Sequence, residues 1–107
     1  MPKQYDIYLA DLNPTVGSEM SKVRPVVVIS PNEMNRNLAT LVICPLTSKL
    51  HPTWRSRLQI TCIGKAAEIA VDQIRTISQQ RLKQKIDQLS IENAAQLRKL
   101  ISEMYGN

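Results

Sequence analysis

Pro25-Val26-Val27-Val28-Ile29 is a continuous run of apolar, mostly β-branched residues that begins with a proline. A short apolar run without polar alternation predicts a strand that is buried on both faces. Turn-forming residues lie upstream in Asn13-Pro14-Thr15-Val16-Gly17, which opens a loop that runs to Arg24. The run therefore predicts a fold that is built around a sheet.

Further strands are predicted on both sides of this run. Ile7–Leu12 precedes it, and the apolar segment Thr40–Cys44, which ends at Pro45, follows it. Arg57–Ile63 alternates between polar and apolar residues, as a half-exposed strand does. The remaining predictions are short strands at 68–71 and 74–77 around Asp72-Gln73, one helical turn at 31–35, and a polar, basic loop at 46–54.

The C-terminal segment changes from a strand pattern to a helical one. Ser90 is a suitable N-cap residue, and Gly106 is a suitable residue to end the helix. Between them, apolar residues recur at spacings of three and four: Ile91, Ala94, Leu97, Ile101 and Met104. This stripe is expected to pack on the core or on a second copy. The sequence thus predicts one domain over residues 1–107, mainly β with α (class α+β), as an antiparallel barrel or curled sheet with a C-terminal helix.

Charge is distributed unevenly along the chain. Fourteen Lys and Arg residues oppose nine Asp and Glu residues, which gives a net charge of +5. Acidic residues are absent between Glu33 and Glu68, and again between Asp72 and Asp87, although both stretches contain several basic residues. Such stretches indicate binding to a polyanion such as nucleic acid, a membrane surface or an acidic protein, and they are also compatible with a solvated basic face.

Several functional classes are disfavoured by the sequence. The two cysteines form no C-x-x-C motif and no cluster with histidine, so we expect no metal site. No apolar run is long enough for a membrane span, and the N-terminus does not resemble a signal peptide, so we expect a cytoplasmic protein. Cys44 and His51 are one possible nucleophile and base, but Cys44 lies in an apolar strand, where thiols are usually inert.

The loop before the central run contains a carboxylate and a guanidinium. Glu19 and Arg24 are five positions apart in Gly17-Ser18-Glu19-Met20-Ser21-Lys22-Val23-Arg24. Phosphodiester cleavage needs a group that accepts a proton and positive donors for the charge that develops on the phosphate. From these residues alone, a surface salt bridge between Glu19 and Arg24 is favoured over a catalytic role, because such pairs are common.

Three separated motifs resemble those of the MazF/PemK/Kid ribonuclease toxins. The first motif comprises Asp6-Ile7-Tyr8, residues 11–19 and residues 24–30. The second motif is Pro45-Leu46-Thr47-Ser48. The third motif is Asp72-Gln73-Ile74-Arg75-Thr76-Ile77. They occur in the order of the family and span nearly the whole chain. The resemblance implies an SH3-like barrel that forms a homodimer and binds single-stranded RNA in a groove at or beside the interface.

The resemblance also implies a mechanism without metal or other cofactor. In this family the 2′-hydroxyl of the RNA attacks the adjacent phosphate and leaves a 2′,3′-cyclic phosphate. Arg24 and Thr47 match the residues that handle the phosphate, and Glu19 matches a loop carboxylate that can act as the base. Because an arginine rarely loses its proton, Arg24 is assigned mainly to charge stabilisation. The implied partners are a cognate antitoxin and, only for the toxin–antitoxin complex, operator DNA.

Polar and basic residues of the motifs and loops are candidate RNA contacts. They are Asn13, Thr15, Ser18, Lys22, Ser48, Lys49, His51, Arg55, Asp72 and Gln73. For His51, a solvated loop histidine is favoured over an RNA contact. A structural role remains open for two other residues: a turn hydroxyl for Thr47, and a loop anchor instead of a base-stacking surface for Trp54.

The chain departs from the Kid branch of the family at two positions. Some members of that branch have a histidine where this chain has Ser18, and an arginine where it has Ala70. Without that arginine, Asp72 has no evident partner, so a structural or RNA-contacting role is favoured over a role as the base.

Two other functions remain as alternatives. One is a gyrase poison of the CcdB type, which shares the fold but acts through C-terminal residues that include Trp-Gly-Ile; this chain ends Met104-Tyr105-Gly106-Asn107. The other is a nucleic-acid-binding repressor subunit without catalytic activity.

Overall fold

A curled antiparallel sheet forms most of the fold. The computed structural model describes residues 1–12 and 23–106. Within these ranges the strands are β1 (Asp6–Asp11), β2 (Val23–Val28), β3 (Thr40–Thr47), β4 (Arg57–Cys62), β5 (Lys65–Ala70), β6 (Arg75–Ser78) and β7 (Leu82–Gln88). The helices are α1 (Asn32–Asn37) and α2 (Ile91–Tyr105), and single 3₁₀ turns cover Val71–Gln73 and Gln79–Arg81. The strand order is β4-β5-β3-β2-β1-β7, with β6 also paired to β3.

The central apolar run is buried on both faces, as the sequence predicts. Val26, Val27 and Val28 have no exposed surface. Val27 packs in one core cluster, with Ile7, Leu46 and Ile69, against residues of α2. Val26 and Val28 belong to a second cluster, which includes Leu41 and Ile77. Because neighbouring side chains of a strand point to opposite faces, β2 contributes to both clusters.

The C-terminal helix is confirmed, although its apolar stripe begins one turn later than predicted. Ser90 accepts a hydrogen bond from the Asn93 N–H at 3.0 Å, which is the geometry of an N-cap. Ala94 and Leu97 are buried, but Ile91, the first residue of the helix, is 91% exposed. Ile91 therefore does not pack on the core of its own chain, and the alternative of a contact with a second copy stays a prediction.

β3 extends beyond the predicted end of this strand. It continues through Pro45 to Thr47, so the loop begins at Ser48 and not at Leu46. One edge of β3 pairs with β6 up to Ile43 and with β5 from Leu46 onward. Pro45 lies where that edge changes partner, and irregular positions of this kind accommodate a residue without an N–H.

β7 was not predicted from the sequence. It pairs with β1 and has only two apolar residues, Leu82 and Ile86, among polar and charged neighbours. At the sheet edge such a strand needs little apolar surface, so its pattern is weak. No helix in the described ranges is long and apolar enough to cross a membrane.

Candidate active site

A cleft of about 690 Å³ opens where the ends of β2 and β3 meet the β4–β5 hairpin. Its polar lining residues are Arg24, Thr47, Ser48, Lys49 and Lys65. Its apolar wall includes Val23, Pro25, Cys62, Ile63 and Ile86. Four of the predicted site residues thus lie in one cleft: Arg24 from the first motif, Thr47 and Ser48 from the second, and Lys49 directly after it.

The strand register explains why Arg24 and Thr47 meet in this cleft. Val26 of β2 lies opposite Pro45 of β3 in an antiparallel pair. Arg24 lies two residues before Val26 and Thr47 two residues after Pro45, so the same register brings them to the same end of the pair. Arg24 is also fixed on its other side, where it pairs with Ala10 of β1. Arg24 is exposed and Thr47 is half-buried, so the two side chains lie at the rim and not in the core.

The Thr47 hydroxyl shapes the start of the following loop. Its oxygen accepts a hydrogen bond from the Lys49 N–H at 3.1 Å. The structural alternative for Thr47, a turn hydroxyl, is therefore observed. A threonine hydroxyl also has a proton to donate, so this turn does not prevent a contact with a phosphate oxygen.

The described lining of the cleft is basic. It contains the three cations Arg24, Lys49 and Lys65, and no Asp or Glu residue. A concave surface with cations and no carboxylates attracts phosphate, and the arginine fork matches two phosphate oxygens at once. Lys65 was not predicted as a site residue from the sequence. The feature that could have indicated it is its position directly after the turn residues Ile63-Gly64.

A second polar cluster lies beneath the loop at 48–56 and is organised around Glu68. The Glu68 carboxylate is fully buried and accepts hydrogen bonds from the His51 N–H at 2.6 Å and from Gln59 at 2.7 Å. It also forms an ion pair with Arg57. Burial alone would raise the pKa of Glu68, but the hydrogen bonds from Gln59, His51 and Arg57 outweigh burial and lower this pKa to about 2.

Arg57 joins Glu68 to Asp72. Its Nε lies 3.4 Å from the Asp72 carboxylate, which also accepts a hydrogen bond from the Ser56 hydroxyl. The expectation that Asp72 has no evident partner is therefore wrong: an arginine from β4 supplies one. The Arg57 side chain is only 7% exposed. Burial opposes its charge, but hydrogen bonds and the charges of both carboxylates raise the Arg57 pKa.

His51 and Trp54 hold the loop on this cluster. The two rings stack with centroids 3.9 Å apart, and the Arg57 guanidinium lies 4.7 Å from the Trp54 ring centroid. The His51 ring nitrogen lies 3.3 Å from Glu68, so His51 is not the solvated loop histidine that the sequence favoured. Trp54 has the structural role of a loop anchor, and 47% of its surface remains exposed.

The cluster and the cleft share a wall. Glu68 of β5 pairs with Thr47 of β3 in the sheet. The loop that Glu68 holds starts at Ser48 and Lys49, which line the cleft. Glu68 therefore fixes the segment that carries two of the polar groups of the cleft.

The other candidate residues lie elsewhere or outside the described ranges. Arg55 and Gln73 are exposed, and neither is among the described lining residues of the cleft. Glu19, the candidate base, and the candidate RNA contacts Asn13, Thr15, Ser18 and Lys22 lie outside the described residues.

Cys44 is an inert core thiol, as expected from its apolar strand. It is fully buried. Burial, with a smaller contribution from the Asp72 charge, raises the pKa of Cys44 to about 12. A thiol with this pKa stays protonated at neutral pH, so it is a poor nucleophile. In residues 1–12 and 23–106, His, Cys, Asp and Glu side chains do not gather in groups of three or more that could hold a metal ion.

Comparison with known proteins identifies the family. The chain is 35% identical over 98 residues to the endoribonuclease MazF of Staphylococcus saprophyticus, covering 84% of this chain and 79% of that protein. Two solved structures share the fold at lower identity. One is a mycobacterial endoribonuclease in complex with its cognate antitoxin, with a TM-score of 0.83 and 18% identity over 99% of this chain and 96% of that chain. The other is MazF from Deinococcus radiodurans, with a TM-score of 0.81 and 19% identity over 99% and 97%. Residues 3–105 match the family described as PemK-like, MazF-like toxin of type II toxin-antitoxin system, and the chain therefore belongs to that family.

Proposed function

We propose that this toxin, an endoribonuclease of the MazF type, cleaves single-stranded RNA in the cleft that contains Arg24 and Thr47. One observation carries this proposal: residues of two separate motifs meet in a basic cleft whose described lining contains no carboxylate. Such a cleft accepts a phosphodiester, and its guanidinium and hydroxyl can donate to the phosphate oxygens. The relative from Staphylococcus saprophyticus is named an endoribonuclease, which supports the same activity here.

The RNA supplies its own nucleophile in this mechanism. The 2′-oxygen attacks the adjacent phosphorus, the bond from phosphorus to the 5′-oxygen breaks, and a 2′,3′-cyclic phosphate and a 5′-hydroxyl end are formed. The proton of the 2′-hydroxyl passes to a base, and the leaving 5′-oxygen gains a proton. Because the nucleophile and the phosphate belong to one molecule, the attack has a large proximity advantage and needs no metal-bound water.

The residues of the cleft have distinct roles. Arg24 stabilises the negative charge that grows on the phosphate oxygens, and Thr47 donates its hydroxyl proton to one of them. Lys49 and Lys65 bind neighbouring phosphates of the strand. Glu19 is the proposed base. Asp72 is engaged with Arg57 and Ser56, which supports a structural role for Asp72 and leaves Glu19 as the better candidate.

The proposed partners follow from the same basic surface. An antitoxin segment rich in acidic residues would complement the cations of the cleft and exclude RNA. The mycobacterial relative was solved with its cognate antitoxin, which supports this partner. We also propose that the toxin acts as a homodimer in the cytoplasm on mRNA, and that it contacts operator DNA only as part of the toxin–antitoxin complex.

A cleavage assay tests the proposed activity. The purified protein is incubated with a long single-stranded RNA in excess EDTA, and the ends of the products are mapped by primer extension. We expect cleavage at a small set of sequences, with 2′,3′-cyclic phosphate ends. Retained RNA binding without cleavage would favour the repressor alternative, and inhibition of DNA gyrase without cleavage would favour the gyrase poison.

A pull-down from the source organism tests the proposed partner. The tagged toxin should recover a small protein with an acidic segment, and addition of that protein should stop RNA cleavage. Recovery of gyrase instead would contradict the proposed partner and support the gyrase poison.

A further inference from the structure

The turn between β4 and β5 has an unusual residue at its first position. Cys62 and Lys65 close the hairpin, so the turn consists of Ile63 and Gly64 alone. Both have positive φ angles, +50° for Ile63 and +74° for Gly64, as in a type I′ turn. Asparagine, aspartate and glycine are the usual residues at the first position, whereas a β-branched residue with positive φ is a genuine outlier.

The surroundings hold Ile63 in this conformation without burying it. The Ile63 N–H donates a hydrogen bond of 2.8 Å to the Asp87 carboxylate of β7, so the turn is fixed to the neighbouring sheet edge. Its side chain is nevertheless 61% exposed. Burial of the apolar side chain therefore does not offset the conformational cost. Strained residues that the structure holds in place are frequent at functional sites.

Ile63 lines the cleft that contains Arg24 and Thr47. Its apolar neighbours in that lining include Val23, Pro25 and Ile86, and its basic neighbours include Lys65. The cleft therefore has phosphate-binding groups beside a partly exposed apolar wall. A nucleotide has this combination of chemistry, since an anionic phosphate is attached to a base with an apolar face.

The geometry points to Ile63 as a substrate-recognition residue whose side chain packs against the base of a nucleotide beside the scissile phosphate. This inference rests on the proposed function, because it assumes that the cleft binds RNA. The apolar side chain is retained at a strained turn because it forms this contact. It follows that residues which suit the turn should improve stability and impair recognition.

The substitution Ile63→Asn tests both consequences at once. Asparagine tolerates positive φ, so the melting temperature should rise by roughly 4 °C. Its polar side chain loses the apolar contact, so affinity for a non-cleavable oligonucleotide, with one deoxyribose at the attacking position, should fall about tenfold. Ile91→Asn is the matched control, because Ile91 is 91% exposed in α2 and lies outside the cleft. That control should change neither value.

An abasic scan identifies the contact as one with a base. Oligonucleotides that lack one base on either side of the cleaved bond are bound to the wild type and to Ile63→Asn. At one position, removal of the base should lower the affinity of the wild type about tenfold. Removal of the same base should not lower the affinity of Ile63→Asn any further. If the loss of affinity from Ile63→Asn and the loss from base removal multiply at every position, Ile63 does not contact a flanking base and the inference is overturned.

Two further outcomes would overturn the inference. One is that Ile63→Asn binds RNA as tightly as the wild type; the proposed function would stand, because it depends on RNA cleavage by the wild type. The other is a change of oligomeric state in size-exclusion chromatography without loss of RNA affinity per folded copy, which would assign Ile63 to a contact between copies. Absence of RNA binding and cleavage by the wild type would instead remove the proposed function itself.

Discussion

Arg24 of β2 and Thr47 of β3 line the same cleft, where the register of the two strands brings two separate sequence motifs together. Neither motif alone makes a phosphate site. The sheet places a guanidinium and a hydroxyl beside each other at the rim, with Lys49 and Lys65 in the same lining. We propose that Arg24 and Thr47 stabilise the phosphate while the 2′-hydroxyl of the RNA attacks it.

Arg24→Ala is expected to lower the cleavage rate by two to three orders of magnitude without unfolding the protein. Loss of one transition-state donor typically costs about 3–4 kcal/mol, and Arg24 is exposed, so the core is unaffected. Arg24→Lys should also be slow, since an ammonium does not reproduce the arginine fork. Single-turnover rates and melting temperatures are the measurements. Arg36→Ala in α1 is the control, and equal rates for both alanine variants would refute the role of Arg24.

Thr47→Val is expected to slow cleavage by roughly one to two orders of magnitude, because valine keeps the shape of threonine and removes the hydroxyl. The same change also removes the acceptor for the Lys49 N–H. Thr47→Ser is therefore the informative comparison, since serine keeps the hydroxyl for both contacts. Thr47→Ser should cleave RNA much faster than Thr47→Val; similar rates for the two would argue against a contribution from the hydroxyl.

Lys65→Ala is expected to lower the affinity for RNA and to make that affinity less dependent on salt concentration. If Lys65 binds one phosphate of a single strand, the slope of log affinity against log salt should fall in magnitude by about 0.7. Affinity is measured by fluorescence anisotropy at several salt concentrations. Lys83→Ala removes an exposed lysine of β7 that is not among the lining residues of the cleft, so it should leave the slope unchanged. An unchanged slope for Lys65→Ala would mean that Lys65 does not bind an RNA phosphate.

Glu68→Gln is expected to destabilise the protein in a way that depends on pH. The folded-state pKa of Glu68 is about 2, below its ordinary value of 4.5. Its charged form therefore stabilises the fold above about pH 4.5, and this stabilisation is lost as pH falls toward 2. Loss of one partner from a buried ion pair costs roughly 3–5 kcal/mol, so a clear deficit is expected at pH 7.

Urea denaturation at several pH values measures this effect. The difference in unfolding free energy between the wild type and Glu68→Gln should narrow steadily below pH 4.5. Glu103→Gln, at an exposed position in α2, should show little difference at any pH. A deficit of the same size at pH 7 and pH 3 would mean that the Glu68 charge does not contribute to stability.

The sequence predicts those parts of the fold whose pattern is strong and local. The buried run at Val26–Val28 and the helix between Ser90 and Gly106 are examples, since burial on both faces and N-capping leave clear local patterns. β7 was missed because an edge strand has few apolar residues. The extension of β3 through Pro45 was missed because it depends on where the partner strand changes, which is not a local property.

The candidate site residues also divide into those with a local sequence pattern and those that depend on strand pairing. Arg24 and Thr47 were predicted as site residues from their motifs, although only the β2–β3 register shows that they share a cleft. The contact between Arg57 and Asp72 was not predicted, because these residues lie on β4 and on the turn after β5 and meet only when the hairpin forms. Lys65 and Ile63 enter the cleft for the same reason.

Two RNA oligonucleotides that differ in one hydroxyl test whether the RNA supplies its own nucleophile. Both contain a mapped cleavage sequence, and one has a deoxyribose immediately 5′ of the scissile phosphate. We predict that the wild type cuts the all-ribose oligonucleotide in EDTA, leaves a 2′,3′-cyclic phosphate, and binds the single-deoxy oligonucleotide with similar affinity without cutting it at that bond. Efficient cutting of the single-deoxy oligonucleotide at the same bond would contradict the mechanism, because the nucleophile would then have to be water.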